Sequence, residues 1–262
     1  MSAQTTRQPG AGVAPPFTSQ DVGTAEAQWN SYLDSLPPLF PPAFFTPAPI
    51  PRTQSSPRAV VVAPHPDDEV LGAGATMFDL CRAGWDVTVV VVSDGDQSHP
   101  GAEGLGGKRR VESNQAAAWL GAKKPPQFLG FPDGNLAEHG VAISEQLLDI
   151  LDGSALIIGP WRHDGHPDHA ATAEAVEHAC ASAFLAPEVR IWQYAIWAWH
   201  WGRPDDFALE HTAAVDVSPA AQQAKQQAIE MFQSQTTDHF GSVILAPAVL
   251  SHFRRSREVF WC

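Results

Sequence analysis

Short, wholly apolar runs separated by longer mixed stretches set the rhythm of this chain. Ala59-Val60-Val61-Val62-Ala63 and the valine-rich run at 86–92 have the length and β-branched content of strands buried on both faces. Further strands are predicted at 126–129 (a short one), 155–159, 189–195 and 213–217. Between them, helical spacing covers 69–83, 108–120, 143–152, 168–183 and 219–233. The last twenty or so residues, ending Glu258-Val259-Phe260-Trp261, are expected to pack as a further strand or helix. Strands alternating with helices of this length imply an α/β domain: a mostly parallel sheet with helices on both faces.

The first 56 residues depart from this rhythm. Residues 1–19, rich in Gly, Pro, Ser, Thr and Gln, are expected to be disordered. Thr24 to Leu36 is predicted as a short helix with Trp29, Tyr32, Leu33 and Leu36 near one face, packed on the main body. The prolines and aromatics of 36–45 exclude a regular helix and suit a segment lying along the surface. The chain thus divides into a Pro-rich N-terminal extension, 1–56, and a single domain, 57–262.

Composition narrows the partners. The chain has 262 residues, 44% of them hydrophobic, and a formal charge of −13. Nucleic acid and anionic membranes call for clustered Lys and Arg, so both are disfavoured. Cys81, Cys180 and Cys262 form no C-x-x-C pair and read as free thiols of a reducing compartment. No apolar run reaches the ~20 residues of a membrane span, and no leader pattern is visible, so a cytoplasmic location is expected.

Chemistry concentrates at two strand exits. The strand at 59–63 runs into Pro64-His65-Pro66-Asp67-Asp68-Glu69, and the strand at 155–159 is followed by His163-Asp164-Gly165-His166-Pro167-Asp168-His169. His65, Asp68 and His169 make a two-imidazole, one-carboxylate set that leaves a coordination position for water, the catalytic arrangement for zinc. The same donors hold Fe(II), so residue type leaves the metal open between Zn²⁺ and Fe(II). Bound zinc brings the pKa of its water towards ~7, providing a hydroxide nucleophile. Asp67 is the candidate general base, although either adjacent carboxylate could reach the ion. A protonated His166 could donate to a developing oxyanion or to a leaving amine. Asp164 or Asp168 could hold an imidazole in its tautomer.

Other positions have two readings each. Asp94, after the second strand, either bonds a sugar hydroxyl or a ligand histidine, or simply forms an Asp-Gly turn. Arg109 either contacts substrate or pairs with Glu112 on an exposed helix face. The glycine-rich loop 93–107 is long for a compact domain. Gly72-Ala73-Gly74 lies inside a predicted helix, where close packing on a strand explains it better than a nucleotide loop. Trp197, Trp199 and Trp201 share one face if their segment is extended, which would suit sugar stacking or an oligomer contact; Trp192 and Trp197 are expected as core or interface anchors.

Ala63-Pro64-His65-Pro66-Asp67-Asp68-Glu69 resembles the A-H-P-D-D-E signature of the PIG-L (LmbE-like) zinc-dependent N-deacetylases, and His166-Pro167-Asp168-His169 resembles their H-P-D-H motif. Arg109-Arg110-Val111-Glu112, Phe131-Pro132-Asp133-Gly134, the stretch from Lys225 to Gln235, and Phe253-Arg254 with Glu258 and Phe260 are similar to further patterns of that family. The resemblance implies a Rossmann-like sheet, zinc on His65, Asp68 and His169, Asp67 as base and His166 as oxyanion stabiliser. It further implies a hydrolase that removes acetyl from an N-acetylglucosamine-type sugar or its conjugate. Cleavage of a larger acyl or peptide-like amide, or a non-catalytic metal- and sugar-binding homologue, are the alternatives. A small amino-sugar substrate and a possible homo-oligomer complete the expectations.

Overall fold

In the computed structural model, residues 23–39, 56–99, 101–183, 189–238 and 241–262 are described. The expected disorder of 1–19 and most of the proline–aromatic stretch at 36–45 lie outside them. A 3-10 turn, Glu26–Trp29, leads into α1, Asn30–Ser35. The domain then runs β1 (Arg58–Ala63), α2 (Asp68–Arg82), β2 (Asp86–Ser93), α3 (Leu105–Trp119), β3 (Gln127–Phe131), a 3-10 turn (Leu136–His139), α4 (Gly140–Leu151), β4 (Leu156–Pro160), α5 (Pro167–Ser182) and β5 (Arg190–Tyr194). After these come α6 (Ala198–Trp201), a 3-10 turn (Pro204–Asp206), β6 (Thr212–Asp216), α7 (Pro219–Glu230), α8 (Gln233–Thr236), α9 (Pro247–Ser251) and β7 (Arg257–Trp261).

Seven strands form one sheet in the order β3-β2-β1-β4-β5-β7-β6. β3, β2, β1, β4 and β5 are parallel, and β7 is antiparallel to both its neighbours. Period-two alternation sends Ala59, Val61 and Ala63 of β1 into one core beneath α2, α3 and α7. Val60 and Val62 enter a second core beneath α4 and α5. Covering both faces explains why β1 and β2 read as unbroken apolar runs. The chain leaves β1 towards β2 on one side and returns to β4 on the other. The crevice at their carboxyl ends is therefore the switch point where α/β sheets gather ligands.

Four expectations need correction. Helix α3 begins at Leu105, not Lys108: Gly104 takes φ +73° and turns the chain, and a Cβ on Gly106 would come within 3.0 Å of the Asp94 Cβ. The predicted helix 219–233 divides into α7 and α8, because Phe232 leaves helical geometry (φ −81°, ψ 59°) to bury its ring completely. The C-terminus supplies both a helix, α9, and a strand, β7. The tryptophan segment is the short helix α6 rather than an extended strand, so Trp197, Trp199 and Trp201 do not share a face. Trp197 and Trp201 stack, with centroids 4.8 Å apart, whereas Trp199 packs on Trp29 and Phe207. Trp192 is buried. Gly72 lies so close under Tyr194 of β5 that a Cβ would come within 2.3 Å of the ring.

Candidate active site

β1 ends at Ala63, and the next turn holds Asp67 at φ 122°, outside the regions open to ordinary L-residues. Its surroundings enforce that conformation. Glu69 Oε2 accepts the Asp67 N–H (3.0 Å), and Arg109 donates to Pro66 O (2.7 Å), Gly95 O (2.8 Å) and Asp67 Oδ2 (3.1 Å). Strain of this kind costs on the order of 1–3 kcal/mol and persists where neighbours over-determine it. α2 then starts at Asp68, so both Asp67 and Asp68 face the crevice from its first turn.

The β4–α5 connection supplies the opposite wall. Pro167 opens α5 at the position proline prefers, and His169 lies one turn in, fully buried. Asp68 Oδ2 stands 3.3 Å from His65 Nδ1 and 3.3 Å from His169 Nε2. Donor atoms of His65, Asp68 and His169 all lie within 4.8 Å of one another.

Hydrogen-bond partners assign a tautomer to each of the three clustered imidazoles. His65 Nε2 faces Asp133 Oδ1 at 3.0 Å and Asp168 Oδ2 at 3.1 Å. A nitrogen between two carboxylates carries the proton, which leaves the Nδ1 lone pair for Asp68 and its ion. His169 Nδ1 lies 2.7 Å from Asp164 Oδ2 and Nε2 lies 3.3 Å from Asp68 Oδ2, so a bound ion would take the place of the Nε2 proton. His166 Nδ1 instead accepts the Asp168 N–H (3.2 Å), so the neutral ring carries its hydrogen on Nε2. Asp164 and Asp168 are themselves held by backbone donors. Asp164 accepts from Ile196 (2.6 Å), Trp197 and Ala198 (both 3.2 Å), and Asp168 from Gly134 (2.8 Å) and Leu136 (3.1 Å).

Electrostatics describe a site built around a cation. Asp67, Asp68, Glu69, Asp133, Asp164 and Asp168 converge, and Arg109 is the cationic side chain set among them. Burial pushes Asp67 up to about 8 against the pull of Arg109, with Asp68 and Glu69 adding to the rise. Burial likewise raises Glu69 to about 7, although the Ser113 hydroxyl donates to it. Burial would lower His169, but Asp68 and Asp164 outweigh it and hold the ring at about 9. Burial, with His169 and His65 nearby, lowers His166 to about 3. Shifted in this way, His166 can donate through Nε2–H as a neutral ring, as well as in the protonated form considered from sequence. The donor set fits a divalent ion: His65 Nδ1, His169 Nε2 and an Asp68 oxygen converge at a buried point, and neither ring nitrogen of His169 makes a directed hydrogen bond.

A cleft of about 280 Å³ opens above these groups, lined by the polar side chains of His65, Asp67, Asp68, Arg109, Asp133 and His166 among others and by the apolar side chains of Leu71, Ile196, Trp197, Trp201, Ile244 and Leu245. Arg109 lines the cleft, its two Nη atoms donating to Asp67 and two carbonyls while its buried Nε has no hydrogen-bond partner, and no ion pair joins it to Glu112. That carboxylate is buried and accepts from Ser234 N–H and Oγ. Asp94, expected at the substrate or a ligand histidine, instead accepts from Arg110 Nε at 2.7 Å, outside the cleft lining. Asp133 was noted from sequence within Phe131-Pro132-Asp133-Gly134 but given no role, though its place just beyond β3, on the same sheet edge, was a usable signal. Among the described residues, no helix is long and apolar enough to cross a membrane.

Residues 60–180 match the family described as PIG-L: GlcNAc-PI de-N-acetylase. The chain is 28% identical over 120 residues to diacetylchitobiose deacetylase of Thermococcus kodakarensis, covering 43% of this chain and 45% of that protein. It is 27% identical over 175 residues to the 1D-myo-inositol 2-acetamido-2-deoxy-alpha-D-glucopyranoside deacetylase of Mycolicibacterium gilvum, covering 55% and 59%. The chain thus spans about half the length of these relatives. Its fold matches that of the A40926 pseudoaglycone deacetylase Dbv21 with a TM-score of 0.62 at 24% identity, over 79% of this chain and 97% of that one.

Proposed function

Because residues 60–180 carry a PIG-L domain, we propose that this chain is a metal-dependent N-deacetylase that hydrolyses the acetamide of an N-acetylglucosamine-type sugar or its conjugate. The observation that carries this reading is the convergence of His65 Nδ1, Asp68 Oδ2 and His169 Nε2 beside Asp67 at the floor of the cleft. A divalent ion held by these three, zinc being the metal that suits two imidazoles and a carboxylate, would activate water and polarise the amide carbonyl.

The chain's own groups supply the proton traffic. Arg109 engages Asp67 Oδ2, which orients the carboxyl and leaves Oδ1 for water. A base whose pKa sits near the working pH takes a proton effectively and can return it. Asp67 removes the proton as the water oxygen bonds to the amide carbon, then delivers it to the nitrogen as the C–N bond breaks, giving acetate and the free amine. His166 Nε2–H donates to the carbonyl oxygen as charge builds there, and because the ring is neutral at rest it gives up no proton to do so. Asp133, Asp164 and Asp168 keep His65 and His169 in their ligating tautomers.

The test is stoichiometric release of acetate and amine from an N-acetylglucosamine conjugate by metal-loaded protein. Asp67→Asn should retain one ion per chain by elemental analysis and lose on the order of 10²–10⁴-fold in kcat, the span of general acid–base catalysis. Full turnover by that variant, or wild-type protein that binds no divalent ion, would refute the mechanism.

A further inference from the structure

Helix α6 divides its tryptophans between two faces. Trp199 turns inward onto Trp29 and Phe207, and Trp197 and Trp201, four residues apart, line the cleft. Trp201 rests against Gly165 of the β4–α5 connection, where a Cβ would lie 3.3 Å from the indole, and Trp197 stacks on Trp201 at an interplanar angle of 16°. The Trp197 N–H also donates to Asp164, the residue that orients His169. The stacked pair is therefore fixed in position relative to the metal ligands.

We propose that Trp197 is the platform of a second subsite, beyond the hydrolysed acetamido sugar, that stacks an uncharged ring carried by the same substrate. The position of the first sugar rests on the deacetylase reading. The cleft, about 280 Å³ and open to solvent, is at the small end of ligand sites, so with an acetamido sugar at the metal ligands a following ring would lie against Trp197 and Trp201 of the lining. A ring is favoured over an alkyl chain because a flat indole pair matches a flat apolar face. An uncharged ring is favoured because Arg109 is the one Lys or Arg among the described lining residues, and both its Nη atoms already donate to Asp67 and two carbonyls. A phosphate beside the sugar would meet the carboxylates of Asp67 and Asp133, which the ligand set of His65, Asp68 and His169 leaves out. A second pyranose and an aryl aglycone both present such a face.

The experiment compares N-acetylglucosamine, N,N′-diacetylchitobiose, an aryl N-acetylglucosaminide and N-acetylglucosamine 1-phosphate as substrates of the metal-loaded protein. The same ligands are titrated into metal-free protein by calorimetry. Wild-type protein should prefer the two uncharged ring-bearing substrates and disfavour the phosphate. Trp197→Ala should lower the kcat/KM preference for two rings over one by about tenfold, through KM, and Trp197→Phe should restore most of it. The disaccharide and aryl arms show which ring the platform seats. Binding to metal-free protein should show the same Trp197-dependent difference. If Trp197→Ala lowers all substrates equally, or leaves the preference intact, the subsite is refuted while the deacetylase reading stands. If no acetamide is hydrolysed yet ring-bearing sugars bind through Trp197, the deacetylase reading fails and the subsite survives.

Discussion

At the scale of single residues, the site depends on which nitrogen of each histidine carries hydrogen. Asp164 sets this for His169, and Asp133 with Asp168 sets it for His65. Asp164→Asn can keep the bonds from Ile196 and Ala198, but its amide would then offer N–H to His169 Nδ1. That reverses the ring and points a hydrogen at the ion. Metal affinity, measured by competition with a chelator, should fall about 10–100-fold. Asp133→Asn should cost less, because Asp168 still accepts from His65 Nε2; equal losses would show that Asp168 alone does not hold the ring. The sequence exposed part of this arrangement. Asp164 and Asp168 flank histidines within one short run, so a supporting role was visible. Asp133 lies about thirty residues from that run in what reads as a turn, and only the sheet brings it to His65. Arg109 was legible for a different reason: a basic residue after a glycine-rich loop suggests the cleft, which it lines, but its bond to Asp67 depends on burial that the sequence does not display.

At the scale of elements, the N-terminal segment and α6 support one another. Trp29 Nε1 donates to Trp199 O (3.0 Å), and Glu26 accepts from Arg255 through two nitrogens and from His252 Nδ1, each at 2.7 Å. Arg255 also lies 4.2 Å above the Trp199 ring. The apolar spacing of Trp29, Tyr32 and Leu36 made this helix legible, whereas a run of alternating tryptophans fits a strand as well as a helix, and Asp164, by accepting three successive backbone donors, selects the helix. Burial raises Glu26, but its bonds to Arg255 and His252 outweigh that and hold it below its usual value. Burial lowers His252, with Arg255 and His200 adding to the shift and Glu26 opposing it. Both groups act in one direction. Unfolded chain takes up a proton at His252 near the ordinary 6.5 while the folded protein resists it, so stability is complete above that pH and declines below it. Glu26 adds a further loss as its lowered folded value is approached. His252→Gln keeps a donor for Glu26 and removes one titration. Below pH 6.5, its unfolding free energy should fall less steeply than wild type, by at most one proton's worth, ~1.4 kcal/mol per pH unit. Parallel slopes in urea titrations would exclude His252 as a source of acid sensitivity.

At the scale of the whole molecule, the C-terminal third is where sequence reading was weakest, because strand alternation is the same in either direction and cannot reveal that β7 enters antiparallel between β5 and β6. What secures that insertion is a buried ion pair. Lys225 of α7 and Glu258 of β7 meet at 2.7 Å. Glu258 accepts from the N–H groups of Ala75 (2.9 Å) and Thr76 (2.8 Å), and Lys225 donates to Leu71 O (2.7 Å). In a regular helix Ala75 N–H and Leu71 C=O are partners, so the pair engages the ladder of α2 from the side. It thereby joins two elements distant in sequence, α7 and β7, to the helix whose first turn carries Asp68. Lys225→Met leaves Glu258 as an uncompensated buried charge and should cost on the order of 3–5 kcal/mol in urea unfolding. Adding Glu258→Gln removes that charge and keeps an acceptor for one α2 donor. The double variant should therefore be more stable than the sum of the two single changes allows, with a coupling of about 0.5–3 kcal/mol. Simple additivity would mean that Lys225 and Glu258 act separately, and that burial of Phe232 and Phe260 in the core, rather than this charge pair, fastens the C-terminal elements to α2.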